Sequence, residues 1–334
     1  MLRTSHAAIA RVMKAIRVQQ FGGPEVLKVV HDVPIPKPGD HDVLIHVKAV
    51  GVNPVETYIR SGIHSMKPDL PYTPGNDCAG VVEEVGGAVK NVKKGDHIYS
   101  YRSLTGTYAE FTISPASDIH ILPNALTFAQ GAALGIPYHT AYRGLFQKAK
   151  AKAGETVLVH GASGGVGTAA VQFCQAYGVN VVGTAGTPEG MELVKKAGAQ
   201  SVFNHREAGY VEQLLATTGG RGFDVILENA AHINLGVDLT LLAPNGRVVV
   251  VGSRGKVEIM PRETMFREAS IIGVTLFRAS REESTEAFAA IQAGILNGWL
   301  RPAVGKVYPL EKASDAHVDI ISGPGALGKL VLEV

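Results

Sequence analysis

Residues 157–167 read VLVHGASGGVG, a short apolar run that enters a turn with glycine at four of seven positions. Thr168-Ala169-Ala170-Val171 then continues as a helix. A buried strand, a glycine turn and a helix in that order form the unit of a parallel sheet covered by helices. From about Gln130 onward the chain repeats this unit. Strand-like segments at Thr156–His160, Asn180–Ala185, Ser201–Asn204, Phe223–Glu228, Arg247–Val251 and Ser270–Leu276 alternate with helical stretches at Val166–Tyr177, Met191–Ala197 and Tyr210–Thr217. Six such strands call for an α/β, doubly wound sheet with helices on both faces.

Ser163 can be read in two frames. Gly161-Ala162-Ser163-Gly164-Gly165 is a G-x-S-x-G, the elbow that presents a nucleophilic serine. Ala162-x-Gly164-x-x-Gly167 nearly matches the glycine fingerprint that cradles a dinucleotide pyrophosphate. In the second frame Gly164 and Gly165 let backbone approach phosphate, and Gly167 lets helix and sheet close up. A hydrolase needs a later acid and histidine and a separate oxyanion loop. Asp224 or Asp238 with His317 would fit the order, but no HGGG-type loop precedes Ser163. The nucleotide frame is favoured, and the βα array around it carries that preference.

An NAD site places an acid about 20 residues beyond the fingerprint, on the ribose hydroxyls. Here Gly183-Thr184-Ala185-Gly186-Thr187 brings no acid until Glu189. A carboxylate would repel a 2′-phosphate, so its absence favours NADP. An acid from a shifted loop is the alternative.

The first ~130 residues read differently, as short strands broken by turns. Asp42–Val50 alternates, Pro34–Asp40 is proline-rich, and Lys93-Lys94-Gly95-Asp96 is a hairpin signal. No long helical period precedes about residue 127, so this half is expected to be β-rich and barrel-like. Helix Glu282–Asn297 follows the βα array, and Val304–Val334 returns to strand-and-turn character. Lys329–Val334 needs a sheet to pair with, and the first domain offers one.

At 334 residues, two domains are the expectation. No run approaches the roughly 18 apolar residues of a membrane span. A net charge of +2 supplies no general attraction for nucleic acid or anionic lipid. Cys78 and Cys174 cannot build a disulfide framework, which fits a reducing compartment. Residues 1–24 lack acids but carry Arg3, Arg11, Lys14 and Arg17, as a mitochondrial presequence would. Lys14–Val18 reads better as a first strand, leaving too few residues for a presequence. Cytoplasm is therefore the expectation and mitochondrion the alternative.

No histidine pair has metal-ligand spacing, and Cys78 stands without a ligand cluster. No metal is expected. Without a Lewis acid an ordinary ketone is a poor hydride acceptor, whereas a quinone or activated enone is already electrophilic.

Long runs now resemble the zinc-free quinone reductases of the medium-chain dehydrogenase/reductase superfamily, most closely the zeta-crystallin branch. They are Phe21–Leu27, Gly51–Gly62, Pro71–Gly75, His160–Gly167, Gly183–Thr187, Phe203–Arg206, Val250–Gly255 and Ile272–Phe277. In zinc members of the superfamily a cysteine ligand falls where Asn53 stands, and Gly-His-Glu where Gly75-Asn76-Asp77 stands. The resemblance implies a GroES-like catalytic domain from residues 1–132 and 280–334, a Rossmann domain at 133–279, and NADPH in the cleft. It implies Ser163, Gly164, Gly165 and Val166 on the pyrophosphate, and Gly186 and His205 at the adenosine phosphate. Asn234, Val251, Gly252, Ser253, Arg254, Val274, Thr275 and Leu276 would line the remaining path. Tyr58 and Asn53 would be neutral donors beside the nicotinamide and the acceptor carbonyl. Some bacterial relatives carry lysine at the position of Gly190 and tyrosine at that of His205. The phosphate grip here would then fall to His205, Arg206 or Lys329.

The activity so implied is reduction of quinones by NADPH, ortho-quinones above all, with one-electron transfer to semiquinones associated with this branch. An alkenal or enone reductase on the same scaffold is the enzymatic alternative. Binding of AU-rich RNA, or a structural lens role, is the non-enzymatic one. The family implies a homotetramer, with a dimer as fallback.

Overall fold

A computed structural model describes residues 11–334; the basic segment before Arg11 lies outside the described residues. The chain divides into two compact units. One comprises the residues up to Ala132 with Val307–Ile321 and Leu330–Val334, and the other Ala133–Lys306 with Ser322–Lys329.

In the first unit β1 (Val12–Val18) and β2 (Leu27–Pro34) form an antiparallel ribbon. Next come β3 (Asp42–Gly51), α1 (Pro54–Ser61), β4 (Asp77–Val85), β5 (His97–Ser100), β6 (Phe111–Pro115), β7 (Ile119–Ile121) and the short α2 (Phe128–Gly131). Ile45, Val47, Val50, Cys78, Val82 and Ile98 fill the core behind β3 and β4. The helix α1 was not anticipated. It starts where Asn53 and Glu56 form a capping box around Pro54, and it stops at Gly62 in the left-handed region (φ 78°).

The second unit opens with α3 (Gly135–Tyr142). It alternates β8 (Thr156–Val159), α4 (Gly165–Ala176), β9 (Asn180–Ala185), α5 (Pro188–Ala197), β10 (Ser201–Asn204), α6 (Tyr210–Ala216), β11 (Phe223–Glu228), α7 (Ala231–Leu241), β12 (Leu242–Val250), α8 (Pro261–Arg267) and β13 (Ser270–Gly273). The sheet order is β10-β9-β8-β11-β12-β13, all parallel, so the order reverses between β8 and β11. Leu158, Ile226 and Val248 on the sheet meet Leu235 and Leu239 of α7 in the core.

Helix α9 (Arg281–Leu296) belongs with the second unit, so residues 280–306 do not go with the first, as the resemblance had implied. Packing explains the difference. Phe288 meets His139 of α3 edge-on at 5.0 Å, and buried Arg143 pairs with Glu283 at 2.7 Å. The chain then forms β14 (Val304–Pro309), α10 (Ala313–Ser322) and β15 (Lys329–Glu333). Helix α10 interrupts what the sequence reading took as strand and turn. Strand β15 pairs antiparallel with β3, Val331 opposite Gly51, inside the sheet order β14-β15-β3-β4-β5-β7. Among the described residues no helix is long and apolar enough to cross a membrane.

Candidate functional site

The glycine turn leaves β8 at the carboxyl edge of the parallel sheet, next to the reversal in strand order where ligands of such sheets bind. Its geometry explains each glycine. Gly161 is in the left-handed region (φ 63°). A Cβ on Gly167 would lie 2.4 Å from Gly161 O and 2.5 Å from Ala162 Cα, so helix α4 touches the turn that launches it. A Cβ on Gly165 would have side-chain atoms of Pro137 and Lys329 as its nearest neighbours, at 3.4 and 3.5 Å. Helix α4 has the side-chain-free Gly164 at its N-cap and no acidic residue in its first turn. Its leading amides therefore suit an outside anion. Ser163 O accepts Gly328 N–H at 2.7 Å, and a Cβ on Gly190 would lie 3.2 Å from Ser163 Oγ.

The hydrolase frame for Ser163 is not assembled. Asp224 holds Arg221 at 2.6 Å and Thr156 N–H at 2.8 Å. Asp238 faces His160, and His317 is bonded to Tyr108 and Arg60. Neither histidine is hydrogen-bonded to Ser163.

At the end of β9 the next strand supplies cations. A Cβ on Gly186 would lie 3.0 Å from both Arg206 Nε and His205 Nε2. Arg206 is further braced by Pro324 O at 2.5 Å. This is the arginine beside the second strand that its own sequence lacks, delivered by the turn after β10. Partial burial, then Arg206 and His160, lower the pKa of His205. The atoms nearest the Gly186 Cβ position belong to a cation and an imidazole, so the residues fit a phosphorylated ribose. Asn234, Val251–Arg254 and Val274–Leu276 follow the carboxyl ends of β11, β12 and β13, on the same edge. Gly252 is tight there, with a Cβ position 2.5 Å from Asn229 O.

Beneath the turn, His160, Glu228 and Asp238 bring polar atoms within 4.8 Å of one another, all buried. His160 Nε2 is 3.0 Å from Asp238 Oδ1, a hydrogen-bond length and shorter than the roughly 3.3 Å edge of a tetrahedral zinc site. Sequence reading missed this group because its members lie on three separate elements.

In the first unit Asn53 is 3% exposed. Its Nδ2 lies 3.0 Å from Asp77 Oδ2, 3.1 Å from Glu56 Oε1 and 3.3 Å from Gly51 O, while its N–H donates to Glu56 Oε2 at 2.9 Å. Tyr108 donates to the same Glu56 oxygen at 2.7 Å and lies 2.9 Å from His317 Nε2. Burial, reinforced by Arg60, holds the His317 pKa down at about 3. The donors of Asn53 thus point into a buried carboxylate network that fixes the start of α1. Tyr58 stands on α1 itself, half-buried. Asn53 turns its Nδ2 donors toward Glu56 and Asp77, so the atom it presents there is no metal ligand, and the first unit's described residues gather no set of three His, Cys, Asp or Glu ligand atoms. The position does not fit zinc.

A nucleotide edge on a doubly wound sheet, joined in one chain to a β-rich unit, defines a dinucleotide-dependent oxidoreductase. The profile described as "Alcohol dehydrogenase GroES-like domain" matches residues 39–124, and "Zinc-binding dehydrogenase" matches residues 165–293. Human quinone oxidoreductase is 55% identical over 322 residues, 96% of this chain and 98% of that protein. The Escherichia coli quinone oxidoreductase solved with NADPH is 32% identical, with a TM-score of 0.86 over 96% of this chain and 100% of that one. A mycobacterial protein solved with NADPH is likewise 32% identical, with a TM-score of 0.88 over the same shares. The chain therefore belongs to the quinone oxidoreductase family, zeta-crystallin branch, of the medium-chain dehydrogenase/reductase superfamily.

Proposed function

We propose that this chain is an NADPH:quinone oxidoreductase that works without a metal. The observation that carries the NADP preference is the His205–Arg206 pair at Gly186, in a turn whose Gly183–Thr187 sequence holds no acid. Ser163, Gly164, Gly165 and Val166 hold the pyrophosphate through backbone amides and the Ser163 hydroxyl. His205 and Arg206, with Gly186 between them, take the 2′-phosphate, as two donors and a cation suit a dianion. Asn234, Val251–Arg254 and Val274–Leu276 complete the path along the sheet edge.

Bound NADPH supplies the reducing equivalents. Tyr58 donates a hydrogen bond to the oxygen that gains charge on the acceptor, a role a neutral phenol fills without a metal. Asn53, assigned as a second donor from the sequence, is better placed to position Tyr58, because its N–H groups hold Glu56 and Asp77. An ortho-quinone suits a site with few donors, since its acceptor carbonyls are already activated.

We also propose a homo-oligomer. Strand β13 is the sheet edge, with Ile271 41% exposed, and Met265, Phe266 and Phe277 are 74%, 75% and 54% exposed nearby in sequence. Such apolar side chains around an open edge favour pairing with a second copy. Two buried free thiols fit a reducing, cytoplasmic setting. With a net charge of +2, RNA is no part of this reading.

The test is loss of the reduced-nicotinamide absorbance with an ortho-quinone, comparing NADPH with NADH at equal concentration. Rapid turnover that prefers NADPH is expected. Faster turnover of a 2-alkenal than of any quinone would overturn the substrate class, and preference for NADH would overturn the phosphate site.

A further inference from the structure

We infer that His160, Glu228 and Asp238 hold a shared proton under the nucleotide turn, and that this proton sets how tightly the turn binds its dinucleotide. The inference rests on the NADPH reading above and adds to it a group that touches no ligand.

The three side chains come from the end of β8, the end of β11 and the middle of α7, and their side-chain exposures are 4%, 0% and 0%. His160 Nε2 lies 3.0 Å from Asp238 Oδ1 and 3.9 Å from Glu228 Oε2. Two buried carboxylates this close cannot both stay charged without a compensating proton. Neither oxygen of Asp238 has a well-aligned hydrogen bond from another group. The proton is therefore distributed among these three residues.

Two of the members, His160 and Glu228, are wired to the turns at the nucleotide edge, and Asp238 joins them through His160. His160 Nδ1 is 3.2 Å from Thr184 Oγ1, which also receives the N–H of Gly161 at 3.3 Å. Asn229 Nδ2 donates to His160 O at 2.8 Å. Glu228 accepts from Ala230 N–H and, at 3.1 Å, from Asn234 Nδ2. Moving the proton changes the charge on Glu228 and so the grip on the β11–α7 turn.

The groups facing the cluster are His205, from the segment after β10 and itself beside Arg206, and Tyr210 of α6. Burial pushes both carboxyls up into the neutral range and holds the imidazole down. A polyanionic dinucleotide beside the cluster favours its less negative, protonated form. The bound state thus has the higher proton affinity. Binding takes up a proton, and the gain is full at low pH and lost as pH rises through the bound-state titration.

The experiment is NADPH binding by fluorescence from pH 6.8 to 8.4, where the ligand's 2′-phosphate is ionised (second pKa about 6). It is paired with calorimetry at pH 7.4 in two buffers of different ionisation enthalpy. Kd is expected to weaken about three- to tenfold over this range, up to the tenfold per pH unit that one linked proton allows, with net proton uptake. Asp238→Asn is expected to flatten the profile to within about twofold. NADPH binding with a flat profile and no proton uptake in the unmodified protein would overturn the inference and leave the nucleotide site standing. One equivalent of divalent metal, measured by mass spectrometry and lost in Asp238→Asn, would also overturn it. NADPH binding at no pH would overturn both readings.

Discussion

Gly167→Ala tests whether the nucleotide turn is held by contact between its own backbone segments. The added Cβ would lie 2.4 Å from Gly161 O, 2.5 Å from Ala162 Cα and 2.7 Å from Ala162 C. Ordinary contact is about 3.5 Å, so the overlap is about 1 Å, and every atom involved is backbone. Overpacking of this kind costs about 1–3 kcal/mol, and the upper end applies where nothing can rotate away. Alanine in a helix returns about 1 kcal/mol relative to glycine. The net loss is about 2 kcal/mol, a factor of about 30 in the folded-to-unfolded ratio. Gly165→Ala is the matched control. Its Cβ would meet side chains at 3.4 and 3.5 Å, so stability should stay within about 0.5 kcal/mol of the original. If backbone there approaches the pyrophosphate, its NADPH affinity should nonetheless drop by about tenfold or more, the 1.4 kcal/mol of one lost charge-assisted contact. Urea unfolding reads the first quantity and NADPH fluorescence titration the second. An unchanged urea midpoint for Gly167→Ala would refute the close approach. Unchanged NADPH affinity for Gly165→Ala would remove Gly165 from the phosphate path.

Three further outcomes are expected. Tyr58→Phe should lower kcat with an ortho-quinone by about 10- to 100-fold and leave NADPH affinity intact; equal losses in both would mean the residue serves structure instead. Arg206→Ala should raise the KM for NADPH about tenfold and leave that for NADH unchanged, and a parallel rise for both nucleotides would take Arg206 off the 2′-phosphate. His317 has a folded pKa of about 3, below the ordinary 6.5, so its contribution is complete above pH 6.5 and is lost as pH falls through 3. Comparing urea unfolding of the unmodified protein and His317→Gln at pH 7 and pH 4.5, the gap should shrink by about 2–3 kcal/mol, and a constant gap would disprove a buried neutral imidazole.

Strands β9, β10 and β11 begin and end where the sequence places them, because each is a short apolar run bounded by glycine, asparagine or acid. Helix α1 escaped notice because eight residues hold barely two turns, too few for a clear period. Its signature lay instead in the cap, Asn53-Pro54-x-Glu56. The β9 corner reads as uncharged along its own sequence. Arg206 becomes its neighbour only through the parallel pairing of β10 with β9, a fact of topology that no local window contains. The same holds for His160 with Glu228 and Asp238. Asn53 shows a different limit. Sequence suggests a donor by residue type, but which way an amide points depends on Glu56 and Asp77 around it, and here the Nδ2 atom faces that network.

Strand β15 lies between β14 and β3 in its sheet, yet residues 329–333 are made long after β3. During synthesis, therefore, the first unit waits with an unfilled strand slot, its exposed edge open to wrong partners, while nearly all of the second unit emerges as one continuous stretch. Order of appearance and order of completion are reversed. A nick or a frameshift a few residues from position 329 would thus be felt by the first-made part of the chain.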